Sequence, residues 1–439
     1  MSGSPIKKTG SNFPSVKIIG GGLAGSEAAS FLVRHGVEVH LYERRPQVDD
    51  GAHVTDLLGE LVCSNSLKSS QLTNACGLLK EEMRHMDSIT MRSAVKAAVP
   101  GGNALTVDRD LFAQEITNEL LSSPLFHLHK EEVSDFDSSL TIVATGPLTS
   151  GPLLKELSKI VGKNNLSFFD ASAPIIKKDS LDMNIVYAKS RFEQGDNAYL
   201  NCPFSRDEYL NFVHELLGAK RALTHDFDTH YFEGCLPVEV MASRGEETLR
   251  HGMLKPFGLE REGYPRPYAV AQLRQDNKLG DYYNLVGFQT NLTYPEQKRV
   301  FSLIPGLSHA EFVRYGLMHR NSYIDAPGAL NSDLSLKKKD NLFIAGQLIG
   351  VEGYVESAAL GINAGINVLR RLKGQSPLSV PTSTVDGALI DYVLHASSSY
   401  FEPMNANWAL FPSSSKNTRE ETITNSLRDI SFYYAEATR

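Results

Sequence analysis

The sequence predicts an α/β protein in which both ends of the chain build one nucleotide-binding domain around an inserted, mixed α/β domain. A strand, a glycine-rich turn and a helix are expected at 16–43, and the same order returns at 341–372. Between them, from about residue 173, short alternating segments separated by Gly, Pro and Asn are typical of β-strands. We expect four segments: a flexible tail at 1–15, the first part of the cofactor domain at 16–174, an inserted substrate domain at 175–330, and the second part with a C-terminal segment at 331–439.

Composition narrows the class of protein. The hydrophobic content of 41% and charged content of 22% are ordinary for a globular enzyme, and a chain of 439 residues can bury a large core. There is no run of eighteen apolar residues, and the first fifteen residues lack the apolar centre of a signal peptide, so we expect a cytoplasmic protein without a membrane span. The net charge of −7 argues against a globally basic nucleic-acid binder, although a local basic face remains possible.

The first glycine-rich turn carries the nucleotide-binding prediction. A strand at 16–19 leads into Gly20, Gly22 and Gly25, which have the G-x-G-x-x-G spacing, and a helix then runs to His35. The first glycine allows the tight turn, the second lets backbone approach a diphosphate, and the third lets the helix pack against the strand. The diphosphate would sit on the helix N-terminus. A second strand, expected at 37–42, ends at Glu43, whose carboxylate can accept hydrogen bonds from ribose hydroxyls. An acid there favours FAD or NAD over NADP. The predicted cofactor contacts are Gly20, Gly21, Gly22, Leu23, Ala24, Gly25, Glu43 and Arg44.

Two later segments are predicted to return to the cofactor. The strand at 139–147 ends in Thr145-Gly146, where flavoproteins bring a strand back beside the cofactor; the alternative is a plain buried strand with a turn. At 341–372 a helix starting near Glu352 or Gly353 would stabilise negative charge in the cleft, whereas the alternative is close packing of a Gly/Ala helix. Two such turns at opposite ends of one chain favour FAD over a simple NAD dehydrogenase. The predicted contacts here are Thr145, Gly146, Gly346, Gln347, Glu352, Gly353 and Tyr354.

The remaining segments receive coarser predictions. The Ser- and Asn-rich stretch around Cys63 is loop-like, and amphipathic helices are expected around 78–86 and at 106–121, the second starting near Thr106 or Asp108. Strands are expected at 184–192, 231–243, 268–276 and 282–290, and a helix near 311–325. The four cysteines form no C-x-x-C pair, so neither a zinc site nor a thioredoxin-like motif is predicted, and we expect no metal.

Several long blocks resemble the bacterial folate- and FAD-dependent tRNA uracil-5-methyltransferases. They are GGGLAGSEAA, ELVCSNSLKS, LTNACGLLKEEMRHMDS, VDRDLFAQEIT, YFEGCLPVEVMASRGEETLRHGMLKPFGL, MHRNSYID and FIAGQLIGVEGYVESAALG, and they run in order from Val16 to Leu372. The resemblance implies an FAD domain of the glutathione-reductase type. It also implies transfer of a methylene carbon from 5,10-methylenetetrahydrofolate to C5 of the T-loop uridine in tRNA. Reduced FAD would complete the methyl group, with NAD(P)H as the source of electrons.

The resemblance also implies roles for two thiols. Uracil C5 is a poor nucleophile until a thiolate adds at C6, so the chemistry needs a nucleophile and a base. Cys235, in FEGCLPVE, matches the nucleophile of the family, and Cys63, in LVCSNS, matches a second essential cysteine that acts as base or partner thiol. Their roles could be exchanged. Cys76 and Cys202 are expected to be structural.

Weaker candidates concern the substrates. His319 and Arg320 could contact folate or the uridine, or could form a polar pair between the domains. Arg and Lys suit both carboxylate and phosphate, so Arg244, Arg250 and Lys255 could bind the glutamate tail of folate or the RNA backbone. Lysines 337–339, Arg370, Arg371 and Lys373 could face RNA, although a charge run is more often a solvated face.

Three alternatives remain open from sequence. The same chemistry could act on a ribosomal RNA uridine, or the chain could be an FAD oxidoreductase of small molecules with no RNA substrate. A related flavoprotein that modifies wobble uridine with a partner subunit is much longer, so a chain of 439 residues disfavours that reading. Neither the oligomeric state nor the choice between NADH and NADPH follows from the sequence.

Overall fold

The computed structural model describes residues 14–149, 151–162, 166–191, 199–222, 236–397, 401–411 and 418–439. The strands are β1 Val16–Ile19, β2 Val39–Glu43, β3 Ser66–Ser69, β4 Ala98–Val99, β5 Ala104–Val107, β6 Phe126–Lys130, β7 Thr141–Val143, β8 Leu166–Ala171, β9 Ile175–Lys177, β10 Tyr187–Ala188, β11 Tyr199–Phe204, β12 Ala269–Gln275, β13 Tyr282–Leu285, β14 Phe312–Arg314, β15 Met318–Tyr323, β16 Ser335–Leu336 and β17 Lys339–Ile344. The helices are α1 Leu23–Arg34, α2 Ala75–His85, α3 Ile89–Lys96, α4 Arg109–Leu121, α5 Gly151–Val161, α6 Arg206–Gly218, α7 Val238–Ser243, α8 Thr248–His251, α9 Tyr294–Phe301, α10 Tyr354–Leu372, α11 Val385–His395 and α12 Arg419–Ala437.

The first sheet combines strands from both ends of the chain. Its order is β16-β17-β7-β1-β2-β6, and every pair is parallel except β16 with β17. Helices α1 and α10 pack so closely that a Cβ on Gly361 would lie 2.2 Å from the backbone oxygen of Ala24. This nucleotide-binding sheet, predicted from the two glycine-rich turns, is confirmed as a Rossmann-type arrangement.

The second sheet lies in the middle of the sequence and is antiparallel throughout. Its order is β10-β11-β12-β13-β9-β14. A separate hydrophobic core packs against this sheet, and in it Phe204, Phe212, Phe288 and Phe301 are fully buried against one another. Strands β8 and β15 form an antiparallel ribbon by which the chain leaves the first unit and returns to it. The domain limits at 174 and 330 remain predictions.

The C-terminal helices α11 and α12 are held on the first unit by hydrogen bonds between buried polar groups. Glu82 on α2 accepts hydrogen bonds from the backbone N–H of Val385 at 2.8 Å and of Asp386 at 3.0 Å, at the start of α11. The Tyr433 hydroxyl on α12 donates to Asn363 on α10 at 2.9 Å. Burial raises the pKa of Glu82 to about 7. The segment after residue 418, for which the sequence predicted no role, therefore packs on the first unit and stabilises it.

The helix predictions at 78–86 and 106–121 are confirmed as α2 and α4. Asp108 rather than Thr106 caps α4, since its side chain accepts from the backbone N–H of Leu111 at 3.0 Å. The strands at 268–276 and 282–290 are confirmed in β12 and the shorter β13, while only β10 forms within the described part of 184–192. No helix in the described part of the chain is long and apolar enough to cross a bilayer.

Two predictions were wrong. The helix expected near 311–325 is instead strands β14 and β15, because Gly316 interrupts the segment and its aromatic residues pack on sheets. Of the strand expected at 231–243, residues 231–235 lie outside the described part of the structure, and Val238–Ser243 form helix α7 instead. Pro237 precedes this helix as its N-cap, with φ fixed by its ring at −56°. Alternation of apolar residues over so short a segment does not distinguish strand from helix.

Candidate cofactor and active site

An open cavity lies at the carboxyl ends of β1, β2 and β7. This edge of a parallel sheet is where α/β proteins bind ligands. Most of the predicted cofactor residues line it: Gly20, Gly21, Gly22, Leu23, Ala24, Glu43, Arg44, Thr145, Gly146, Gly346, Gln347 and Tyr354. Gly25, Glu352 and Gly353 lie behind this wall. The sequence thus identified one contiguous surface from four separate segments.

The glycine loop leaves the start of α1 accessible. A Cβ on Gly25 would lie 2.0 Å from the carbonyl oxygen of Gly20, so only glycine lets the helix approach the turn this closely. A Cβ on Gly22 would meet nothing within 4 Å, and Gly22 caps α1 without a side-chain hydrogen bond. Backbone N–H groups and the helix dipole therefore face open space, which is the environment that binds a phosphate group.

A buried carboxylate stands across from that helix terminus. Glu43 accepts from the backbone N–H of Gly21 at 2.9 Å and from the backbone and Nε of Arg45 at 3.1 and 2.9 Å. Burial raises the pKa of Glu43, but the hydrogen bond and charge of Arg45 outweigh it, so the pKa lies below its ordinary value. Three of about four acceptor positions on the carboxylate are used. Glu43 is thus an ionised acceptor with room for one hydroxyl.

Arg45 is the residue that the sequence reading missed. It bridges Glu43 and Glu60, with its Nη1 3.0 Å from the Glu60 carboxylate, and it is only 5% exposed. The predicted Arg44 pairs instead with Asp50 at 3.0 Å. Arg45 follows the end of β2 in a turn, so strand periodicity gave no signal for its pairing with Glu43.

The second glycine-rich turn contributes the opposite wall. Gly346 opens a short 3₁₀ turn, and Gln347 donates to the Glu352 carboxylate at 2.7 Å, which draws Glu352 away from the cavity. Helix α10 begins at Tyr354 with Gly353 as its N-cap, one residue after the predicted start. Thr145, at the end of β7, accepts a hydrogen bond from the hydroxyl of Thr149 at 2.6 Å.

Tyr354 joins this wall to Cys63. Its hydroxyl oxygen accepts from the backbone N–H of Cys63 at 2.8 Å and of Ser64 at 3.2 Å, and it lies 2.9 Å from the Cys63 sulfur. Since the oxygen already accepts two hydrogen bonds, its own proton is directed at the sulfur. Burial, followed by the proximity of Cys63, raises the pKa of Tyr354 well above its ordinary value, so the hydroxyl stays protonated. Such a donor favours the thiolate form of Cys63.

The loop that carries Cys63 is also held from the second sheet. Arg274 on β12 donates to the Ser64 hydroxyl at 2.8 Å and to the Asn65 side chain at 3.1 Å. Arg109, at the start of α4, donates to the Asp276 carboxylate through two nitrogens at 3.0 and 3.2 Å. Arg109 lies close enough to Cys63 for their charges to interact. Buried charges from both units therefore surround the thiol.

The other described cysteines differ from Cys63. Cys63 is partly exposed, while Cys76 and Cys202 are buried. Burial raises the pKa of both buried thiols, and Cys76 accepts a hydrogen bond from the buried Lys80 at 3.3 Å. Both properties fit structural thiols. Cys235 lies outside the described residues, so its predicted role stays a prediction.

Among the weaker substrate candidates whose side chains the structure describes, Arg244, Arg250 and Lys255 do not line the cofactor cavity. Arg244, at the end of α7, and Lys255 are exposed on the surface of the second unit. The side chains of His319 and Arg320, on β15, lie outside the described part of the structure. A separate open cavity is lined by Arg206, Arg250, Arg266 and Tyr268 together with several prolines. Sequence reasoning proposed Arg250 but not this arginine-lined cavity.

Comparison with known proteins places the geometry in context. The model of the family described as "Glucose inhibited division protein A" matches residues 15–376. The chain is 56% identical over 401 residues to the Desulforudis audaxviator protein named methylenetetrahydrofolate–tRNA-(uracil-5-)-methyltransferase TrmFO, covering 90% of this chain and 91% of that one. It is 51% identical over 414 residues to the protein of the same name from Ligilactobacillus salivarius, covering 94% and 95%.

A solved structure shares the fold. The Aquifex aeolicus GidA structure in its form I crystal superimposes with a TM-score of 0.72 at 17% identity, covering 97% of this chain and 76% of that one. At that identity the likeness concerns the fold alone, and it agrees with the nucleotide-binding sheet and the inserted unit described above.

Proposed function

Because the chain belongs to the glucose inhibited division protein A family, we propose that it is a folate- and FAD-dependent tRNA uracil-5-methyltransferase. It takes a methylene group from 5,10-methylenetetrahydrofolate and places a methyl group on C5 of a uridine in tRNA. The single structural observation that carries this proposal is the contact between Cys63 and Tyr354 at the wall of the nucleotide cavity. The proposed chemistry needs a partly exposed, hydrogen-bonded thiol at this place.

The cavity fits FAD on the evidence of its own residues. The open space above Gly22 and the uncapped start of α1 suit the diphosphate, and the ionised Glu43 suits a ribose hydroxyl. Gly346, Gln347 and Tyr354 form the wall nearest Cys63. When bound, reduced FAD supplies the hydride that converts a methylene on uracil into a methyl group. NAD(P)H is proposed as the source of those electrons.

The thiols carry the nucleophilic chemistry of the proposal. A thiolate adds to C6 of uracil, which makes C5 nucleophilic toward the one-carbon unit. A base would then remove the C5 proton as tetrahydrofolate leaves, which gives an exocyclic methylene at C5. Hydride addition to that methylene would expel the C6 thiolate as the C5–C6 double bond re-forms. Cys235 is proposed as the nucleophile and Cys63 as the base or partner thiol. The Tyr354 hydroxyl directed at Cys63 and the nearby Arg109 favour a thiolate, which either role requires.

The RNA would meet the protein on the second unit as well as at the cavity. The arginine-lined cavity begins at Tyr268, and β12 then runs from Ala269 to Gln275 beside the Cys63 loop. At ~3.3 Å per residue, the two regions are roughly 20 Å apart. Arg206 and Arg266 are therefore proposed, with Arg244 and Lys255, to contact phosphates outside the methylated nucleotide. With a net charge of −7, such contacts are local, so binding is expected to weaken steeply with salt. The proposed compartment is the cytoplasm, where its substrate tRNA is found.

One assay tests the reaction, the substrate and the thiols together. Purified flavoprotein receives unmodified tRNA transcript or ribosomal RNA, NADPH and methylenetetrahydrofolate with a labelled methylene. We expect labelled 5-methyluridine in tRNA, lost in Cys235→Ala and Cys63→Ala but retained in Cys202→Ala, the matched buried cysteine. Label only in ribosomal RNA would move the substrate, and no label with reducible flavin would favour a small-molecule oxidoreductase. His319→Ala tests the proposed folate contact through the KM for methylenetetrahydrofolate.

A further inference from the structure

Histidines cluster on the outer face of the first sheet, away from the site described above. Strands β2 and β6 are parallel neighbours at the edge of the sheet, and His40 stands directly opposite His127 in their register. Tyr42 stands opposite His129 in the same way. Because residues two apart on a strand share a face, His40, His127 and His129 project from the same side of the sheet. Glu38, immediately before β2, joins them.

The donor atoms of this cluster already converge. His40 Nδ1 lies 2.9 Å from His129 Nε2, and His127 Nε2 lies 2.8 Å from a Glu38 carboxylate oxygen. The rings of His40 and His127 are stacked with their centroids 4.8 Å apart. One ligand atom from each of Glu38, His40 and His127 lies within 4.8 Å of the others. Ligands of a tetrahedral Zn²⁺ at ~2.0–2.1 Å lie about 3.4 Å apart, so small side-chain rotations would bring these atoms around one ion.

We propose that Glu38, His40 and His127 form a binding site for one divalent transition-metal ion of the zinc type, and that His129, which lies beside His40 but outside that group of three, becomes a fourth ligand by rotation of its ring. Imidazole and carboxylate are the donor set that zinc, nickel and cobalt accept, whereas magnesium and calcium select all-oxygen sites. The four side chains are partly exposed, so an ion can enter from solvent without unfolding the sheet. Two lysines of this sheet are paired with carboxylates, Lys17 on β1 with Asp137 at 3.2 Å and Lys130 on β6 with Asp56 at 2.5 Å.

The location gives such an ion a structural role. Strand β6 is the edge of the sheet, and the chain after it, Glu131 to Val133, lines the nucleotide cavity together with Tyr42. Tyr42 stacks on His129 with ring centroids 4.6 Å apart. An ion bound between β2 and β6 would therefore hold the edge strand β6 in place and stabilise the cavity wall formed by Tyr42 and residues 131–133. The sequence reading expected no metal because it searched the cysteines, which carry no ligand spacing, and the histidines come from strands almost ninety positions apart.

The test uses untagged, full-length flavoprotein treated with a chelator and then dialysed against Co²⁺ or Zn²⁺. We expect one equivalent of metal by elemental analysis, a Co²⁺ spectrum without a sulfur charge-transfer band, and a higher melting temperature. His40→Ala and His127→Ala should each weaken metal binding at least about ten-fold. His395→Ala, which removes an exposed histidine paired with Asp391, is the matched control and should bind normally.

Three results would overturn the proposal. They are sub-stoichiometric binding, a charge-transfer band that assigns the metal to a thiol such as Cys63, or unchanged affinity in the doubly substituted His40→Ala, His127→Ala protein. Melting temperatures of the metal-free variants show whether each one is folded. If both single variants melt like the wild type without metal, lost binding reports the site rather than the fold. The stacked imidazoles would then be shown to be a metal site and not merely a polar surface.

Discussion

The ion pair between Arg109 and Asp276 connects the two units beside Cys63, and Asp276→Ala tests how much the pair contributes to folding stability. Both side chains are about 9% exposed, so their charges are largely removed from water. Without the carboxylate, the guanidinium would keep only the Leu61 carbonyl, at 3.4 Å. A buried charge left without its partner costs about 3–5 kcal/mol of folding free energy. We therefore expect Asp276→Ala to raise the unfolding equilibrium constant more than about a hundred-fold.

The double variant separates the ion pair from the loss of the carboxylate. Arg109→Met with Asp276→Leu removes both charges and fills the space with apolar atoms. Replacing a buried pair in this way is often close to neutral. The double variant should therefore be at least about 2 kcal/mol more stable than Asp276→Ala alone. Glu156→Ala is the control, since its exposed pair with Lys159 is expected to contribute less than about 1 kcal/mol.

The assay is urea unfolding at a fixed, saturating concentration of FAD, because a ligand that binds only the folded state adds to apparent stability. Flavin fluorescence reports the nucleotide-binding unit, and circular dichroism reports unfolding of the whole protein. Labelled methyl transfer is measured on the same samples. A loss of less than about 1 kcal/mol of folding free energy in Asp276→Ala would refute this reasoning. A loss of stability in the double variant equal to the sum of the losses in Arg109→Met and Asp276→Leu measured singly would also refute it.

Three further predictions follow from the same geometry. Gly25→Ala should lower FAD affinity and cost about 1–3 kcal/mol of folding free energy, because its Cβ would lie 2.0 Å from the Gly20 carbonyl oxygen. Gly218→Ala is the control, since its Cβ would meet nothing within 4 Å, and equal flavin retention by the two variants would contradict the prediction. Glu43→Gln replaces an acceptor with a donor, so equilibrium dialysis should show FAD binding weakened about ten-fold or more, and unchanged affinity would remove Glu43 from the site. Burial raises the pKa of Asp386 to about 6 from the ordinary 3.8, so the folded protein keeps a proton that the unfolded chain loses, and stability falls as pH rises through this window. In urea melts, the free energy of unfolding of Asp386→Asn relative to that of the wild type should therefore rise by about 1.4 kcal/mol between pH 5 and pH 7.5. A difference in unfolding free energy that did not change with pH would refute the raised pKa.

The part of the site that sequence predicted is the part encoded locally. Gly20, Gly22, Gly25 and Glu43 lie within one strand–turn–helix–strand unit, where spacing alone fixes their relative positions. The N-cap at Asp108 was likewise found because a cap and its helix are neighbours in sequence. In each case the physical contact spans few residues or follows a known period.

The part that sequence missed depends on pairs that are far apart. Tyr354 and Cys63 are 291 positions apart, and Arg109 and Asp276 are 167 apart, so no window contains both partners. Tyr354 was predicted as a cofactor contact, but not as the hydrogen-bond partner of the thiol. The wrong helix at 311–325 has the same origin, because β15 is a strand only by virtue of pairing with β8.

The Cys63 loop shows why those distant contacts matter for function. Cys63 lies before β3, in a segment without regular structure, and a loop by itself does not hold a reactive thiol at a fixed position. Here Tyr354 from α10, Arg274 from β12 and Arg109 from α4 immobilise the loop from three directions. Two of these elements belong to the nucleotide-binding unit and one to the inserted unit. We therefore expect the reactivity proposed for Cys63 to depend on how the two units pack, so that damage to the Arg109–Asp276 pair lowers methyl transfer without any change at the thiol.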